Sequence, residues 1–220
     1  MGGDLPVAPV LPGPPPPHVL RSLGIDGYEM RAIDVDEIWW RVHRTAGEHV
    51  LAWNALCTFG PVPRCDPHPL PKGEHVQHGV WYGAATPCAG LGEACQVDRT
   101  IDRERGRPYL TGLSFARPLT VLDLAVDSQG AWATRAGGTF AISTGPHTVT
   151  QQWARHITEA FPDLDGLRYN SRFAGDPCLA LFAAATSAMP ARPKISLPLA
   201  HPDLASRIAG AAKRHGYGVV

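Results

Sequence analysis

In the stretch Ile33 to Arg44, Ile38, Trp40 and Val42 alternate with Trp39, Arg41 and His43. That is the period of two a β-strand imposes, because successive side chains point to opposite faces. The expected strand has an apolar face, with Arg41 on the other. A second short strand is expected over Gly79 to Ala84. It leads into Thr86-Pro87, a good helix start with Thr as N-cap and Pro at the first helical position, and that helix is expected to run to about Asp98. Leu119 to Leu124 is the next expected strand. From Thr148 to Phe161, the residues Val149, Trp153, Ile157 and Phe161 recur at four-residue steps, which predicts a helix with one buried stripe ended by Pro162. Gly166 to Ser171 reads as a strand, Leu179 to Ala185 fits strand or helix, Lys194 to Leu199 reads as a strand and Pro202 to Arg214 as a helix. Strands interspersed with helices, without a strict βαβ rhythm, predict a mixed α/β or α+β fold.

Two segments break the pattern. Residues 1 to about 30 are dominated by Pro and Gly and are expected to be extended or disordered, since Pro donates no backbone hydrogen bond. The Pro14 to Pro17 run has the composition of a polyproline ligand, although a plain leader is the commoner meaning of such a stretch. This divides the chain into a leader over 1–32 and one domain over 33–220. Gly60 to Gly79 has five prolines and no periodicity, so it reads as a long irregular loop, a kind of segment that commonly carries function.

Composition narrows the function classes. The chain has 220 residues, enough for one domain with a substantial core. Twenty Lys+Arg balance twenty Asp+Glu, so no electrostatic footprint for nucleic acid is present. The five cysteines, Cys57, Cys65, Cys88, Cys95 and Cys178, are odd in number and widely spaced, as free thiols in a reducing compartment would be. No signal-peptide pattern opens the chain, and no apolar run approaches the roughly 20 residues that span a bilayer. A soluble, cytoplasmic protein without a membrane partner is expected. His68, His75 and His78 near Cys57 and Cys65 lack metal-ligand spacing, so no metal is expected. Rossmann, P-loop and nucleophile-elbow signatures are absent.

Candidate chemistry lies around the second strand and its helix. Tyr82 on the strand and Glu93 on the helix are separated mostly by small residues, an arrangement that can place a phenol and a carboxylate around one cavity, although spacing alone favours a core tyrosine, a solvated glutamate and tight helix packing. In the loop, Arg64 stands among prolines, preorganised for a phosphate or paired on the surface with Asp66. Tyr169-Asn170-Ser171-Arg172 ends a strand with polar groups, facing a site or capping a turn.

Taken in order, these pieces resemble the RES domain, the toxin half of RES-Xre toxin–antitoxin modules. Ile38-Trp39-Trp40-Arg41-Val42 is similar to the family's opening W-R strand, and Gly60 to Pro67 to its G-R-F-D-P loop, with Pro63 in place of a glycine and Cys65 in place of the aromatic. Val80 to Ala84 followed by Leu91-Gly92-Glu93 resembles the Y-x-A strand and A-x-x-E helix. Leu122-Asp123-Leu124 resembles the L-D-L strand, and Asp165 to Arg172 the D-G-I-x-Y-x-S-R segment. The resemblance implies a fold like the ADP-ribosyltransferase toxins and an enzyme that cleaves the nicotinamide–ribose bond of NAD+, with inorganic phosphate or water as acceptor. It implies Arg64, Tyr82, Glu93 and Ser171 as catalytic residues, with Arg41, Arg64 and Tyr82 contacting NAD+. It further implies an Xre-like helix-turn-helix antitoxin as partner, and it leaves homo-oligomerisation open. The competing readings are a protein ADP-ribosyltransferase using NAD+ and a catalytically inactive RES-like binding module.

Overall fold

The computed structural model describes residues 11–220. Among the described residues, twelve strands form: β1 (Met30–Ile33), β2 (Trp39–Arg44), β3 (Phe59–Gly60), β4 (Gly73–Glu74), β5 (Trp81–Ala84), β6 (Thr100–Ile101), β7 (Pro108–Leu113), β8 (Leu119–Asp123), β9 (Gly166–Asn170), β10 (Pro177–Leu181), β11 (Ile195–Pro198) and β12 (Gly218–Val219). Five α-helices accompany them: α1 (Pro17–Leu23), α2 (Pro87–Ala94), α3 (Trp132–Arg135), α4 (His147–Ala160) and α5 (Ala205–His215). Eight strands make one sheet in the order β1-β8-β9-β10-β5-β2-β7-β11. Only β8 and β9 pair in parallel within it, joined through α4, and every other pair is antiparallel. The fold is therefore a single mixed α+β domain, as the alternation of periods predicts.

Both faces of the sheet are covered. One buries Trp39, Trp81, Leu113, Leu179 and Leu181, closed over by the segment around Trp53 and Leu56 and by the 3-10 turn Ala183–Ala188. On the other, Leu122, Leu167 and Ala180 meet Trp153 and Ile157 of α4 and Trp132 of α3, while Leu110 and Leu91 meet Ile208 of α5. The stripe read from the sequence holds where it matters, since Trp153 and Ile157 are fully buried. The ambiguous apolar run resolves as strand and then turn, because β10 is central and needs apolar side chains on both faces. Pro202 to Arg214 divides into a 3-10 turn, Pro202–Leu204, and then α5.

Three expectations are corrected. Trp40 and Val42 pack on the expected apolar face of β2, but Ile38 is 43% exposed and Trp39, on the face with Arg41, is buried, so the strand is covered on both sides. The helix after Thr86-Pro87 ends at Ala94 rather than near Asp98. The leader is not simply extended: residues 17–23 form α1, with Pro17 at its first position and Leu20 buried. Its carbonyls, which proline leaves free to accept, are taken up by α4 and α3. Trp153 Nε1 donates to Pro12 O at 2.8 Å, His156 Nδ1 lies 2.8 Å from Pro15 O, and Trp132 Nε1 donates to Gly24 O at 2.9 Å. Residues 1–10, also expected to be extended, lie outside the described residues.

Candidate active site

Glu93 stands near the C-terminal end of α2, whose start is fixed by Thr86 Oγ1 accepting from Ala89 N. Ser171, just past β9, donates its hydroxyl to Glu93 Oε1 at 2.6 Å. The same Ser171 oxygen accepts from Phe173 N (3.2 Å) and Ala174 N (3.0 Å), so its lone pairs are occupied and its proton is directed at the carboxylate. This short, charge-assisted bond pins one carboxylate oxygen. Glu93 Oε2 carries no side-chain hydrogen bond among the described residues.

The small residues around Glu93 have two jobs. Gly90 and Ala94 border a cavity, leaving it open beside the carboxylate. Gly92 faces the other way: a Cβ there would come within 2.8 Å of His215 Nε2, so its bareness serves the docking of α5 and not the site.

The cavity encloses about 370 Å³, within the range of small-molecule sites. Arg64, Tyr82, Glu93, His147, Tyr169 and Arg172 are among the residues that line it. Burial raises the pKa of the phenols of Tyr82 and Tyr169, which keeps both protonated. Arg64 is pushed down by burial and then by Arg172, with Glu93 acting in the opposite direction.

The loop that presents Arg64 is held by Asp66, which is fully buried. Asp66 Oδ1 accepts from Tyr82 Oη at 2.6 Å, and Oδ2 accepts from Val62 N at 2.5 Å with His68 Nδ1 3.5 Å away. From α4, Gln151 Nε2 donates to the carbonyls of Val62 (3.2 Å) and Pro63 (2.9 Å). Arg64 Nε itself donates to Gly145 O at 3.1 Å. Gly60 is obligatory here, because a Cβ would lie 2.4 Å from His68 Nδ1. Asp66 therefore ties the loop to Tyr82 and makes no ion pair with Arg64.

Of the residues singled out from the sequence, Arg64, Tyr82 and Glu93 line one cavity, and Ser171 reaches it through Glu93. Arg41 borders the cavity, but its guanidinium is committed elsewhere. It donates to Ala55 O at 3.0 Å and lies 5.6 Å from the centre of the Trp81 ring, on the sheet face opposite Tyr82. Burial pushes its pKa down to about 10, which leaves it charged at neutral pH. Sequence reasoning named Tyr169 only within a polar strand end and Asp66 only as a surface partner of Arg64, and it passed over His147 and Gln151, which nothing local marks.

The sequence profile of the RES domain matches residues 38–200. The chain belongs to the RES domain family. Among solved structures, this RES domain is similar to one chain of the M. tuberculosis MbcT–MbcA toxin–antitoxin complex, with 16% identity and a TM-score of 0.54 over 88% of this chain and 96% of that one. A search of curated protein sequences found no match. The matched range includes Arg64, Tyr82, Glu93 and Ser171. Among the described residues, no helix is long and apolar enough to cross a membrane, no group of three metal-ligating side chains converges, and all five cysteines are free.

Proposed function

We propose that this RES domain degrades NAD+ by breaking the bond between nicotinamide and ribose, and that it acts as the toxin of a toxin–antitoxin pair. The observation that carries the reading is the Glu93 carboxylate, pinned by Ser171 and aimed at a cavity walled by two protonated phenols and a guanidinium. When the C1′–N bond breaks, its electron pair leaves with nicotinamide and positive charge develops on the ribose. A fixed carboxylate stabilises that charge more in the transition state than in the substrate, which is what acceleration requires. Tyr82 and Tyr169 offer flat apolar faces for a nicotinamide ring, worth about 0.5–1.5 kcal/mol beyond burial. Arg64, with both Nη groups unpaired among the described residues, suits a phosphate of the dinucleotide. Phosphate attack at C1′ gives ADP-ribose phosphorylated at that carbon, and water gives ADP-ribose with release of a proton.

The toxin reading rests on family membership and on the fold shared with a chain of a toxin–antitoxin complex. Val62, 45% exposed, and Val97, 88% exposed, flank the cavity and provide apolar surface for an antitoxin that covers its mouth.

The test is nicotinamide release from NAD+ by the purified protein, with and without inorganic phosphate, followed by phosphorus NMR of the sugar product. Phosphate-dependent release with a new sugar-phosphate signal identifies a phosphorylase, and phosphate-independent release a glycohydrolase. A folded protein that releases nothing under either condition is not an NAD+-cleaving enzyme of this kind. An antitoxin complex that retains full turnover would refute a covered mouth.

A further inference from the structure

The cavity has a charge pattern that Glu93 does not balance. Arg64, Arg172 and His147 all line it. They are close enough to act on one another: Arg172 lowers the pKa of Arg64, and both arginines lower that of His147, although burial is the largest cause in each case. Elsewhere three arginines meet carboxylates, Arg117 with Asp165, Arg135 with Glu29 and Arg168 with Asp123, while Arg41 and Arg155 are held by backbone carbonyls. Among the described residues, neither Arg64 nor Arg172 meets a carboxylate within salt-bridge distance. Arg172 makes no side-chain hydrogen bond there either, and its guanidinium rests 4.9 Å from the centre of the Phe173 ring. Two guanidiniums held around one cavity with only the Glu93 carboxylate to offset them repel one another unless a further anion joins them.

We propose that Arg172 and His147 complete, with Arg64, a binding site for a phosphate dianion facing Glu93. This rests on the reading above and deepens it, because the dianion is either the diphosphate of the dinucleotide or a free inorganic phosphate that attacks C1′. Arg172 contributes a planar fork suited to two phosphate oxygens. His147, the first residue of α4, contributes a donor whose charge depends on pH. The charged groups acting on it are Arg64 and Arg172, which disfavour its protonation, and Asp66, which favours it. A bound dianion reverses the balance and draws a proton onto His147, so affinity rises as the pH falls.

Binding is measured first with sulfate, whose charge does not change over the working range, by calorimetry on the full chain. The wild type is expected to bind sulfate more tightly on going from about pH 8 to about pH 5.5, and His147→Gln to lose most of that dependence. Arg172→Gln is expected to weaken sulfate about ten-fold or more, with Arg172→Lys recovering part of the loss. Arg172 is exposed, so this variant tests the site without loss of a buried contact. Sulfate affinity unchanged in both variants overturns the proposal. These arms need no turnover, so a protein that binds sulfate as described but releases no nicotinamide refutes the NAD+ reading and leaves the dianion site standing. Where turnover occurs, Arg172→Gln separates the two sources. A raised KM for inorganic phosphate alone identifies the acceptor, a raised KM for NAD+ alone identifies the dinucleotide's diphosphate, and neither KM moving sinks the assignment.

Discussion

The two ends of β9 make opposite use of a carboxylate. Before its first residue, Asp165 is saturated: Arg117 grips both oxygens at 2.9 and 2.7 Å, and Thr120 N adds a third bond at 2.9 Å. Midway along the strand, Arg168 is likewise enclosed by Asp123 and Asp127. After the last residue, Ser171 offers Glu93 a single neutral donor, and no cation closes on the carboxylate among the described residues. A neutralised acid staples strands together and has little field left to act on anything else. An acid held by a hydroxyl, at the wall of a cavity with low-dielectric surroundings, keeps its charge available for a developing cation.

The contrast breaks first at Glu93. Glu93→Gln keeps the shape and removes the charge, and nicotinamide release is expected to fall about 10³-fold or more with an unchanged melting temperature. Activity within a few-fold of wild type would remove the carboxylate from the chemistry. At the other pole, Arg168→Met leaves Asp123 buried without its partner and is expected to cost about 3–5 kcal/mol in denaturant unfolding. The activity of the fraction that remains folded should stay close to wild type. Loss of turnover without loss of stability there would erase the distinction between the two ends of β9.

A smaller effect sharpens the comparison at the junction of loop and site. Tyr82→Phe removes the hydroxyl that Asp66 accepts, at about 1–2 kcal/mol of stability, and loosens the Arg64 loop. The expected kinetic signature is a rise in KM larger than the fall in kcat, whereas a fall in kcat with KM unchanged would place the hydroxyl in the transition state instead.

The smallest effect lies in the pH dependence of stability. His43 is buried, its Nε2 is 3.0 Å from Thr111 Oγ1, and its Nδ1 has no partner. Burial, and then Arg41, depress its pKa below the ordinary value of 6.5. As the pH falls through about 6.5 the unfolded chain takes up this proton before the folded one, so the native state loses stability in acid from this group and is unaffected by it above neutrality. His43→Gln should flatten the acid limb of a plot of unfolding midpoint against pH, and an unchanged limb would show that His43 does not titrate with folding.

Much of this protein was legible along the chain. The four-residue stripe of Trp153 and Ile157 specifies α4, and Thr86-Pro87 specifies the start of α2, because both signals are local. Arg64, Tyr82, Glu93 and Ser171 were identifiable because they sit in ordered motifs. The expectation for the leader failed at residues 17–23, because composition describes what proline denies a backbone and not what its carbonyls still accept. Trp132, Trp153 and His156 supply the missing partners from more than a hundred residues away. The one-sided reading of β2 failed because both faces of its sheet are covered, so alternation between apolar residues and Arg41 no longer separates inside from outside.

What the sequence determined by itself is the set of elements, the α+β class and the residues capable of the chemistry, all consequences of local periodicity, capping and residue type. What the tertiary structure alone decided is which charges are cancelled. Arg41 and Arg64 are both arginines in the quoted motifs, yet one is spent on a carbonyl and an indole across the sheet, while the other gives only its Nε to Gly145 O and keeps its Nη groups unpaired at the cavity among the described residues. His147 and Arg172 lie 25 residues apart in the chain and come to one cavity only when α4 packs against the sheet that contains β9. Electrostatic interaction depends on distance and burial, and neither is written in sequence separation.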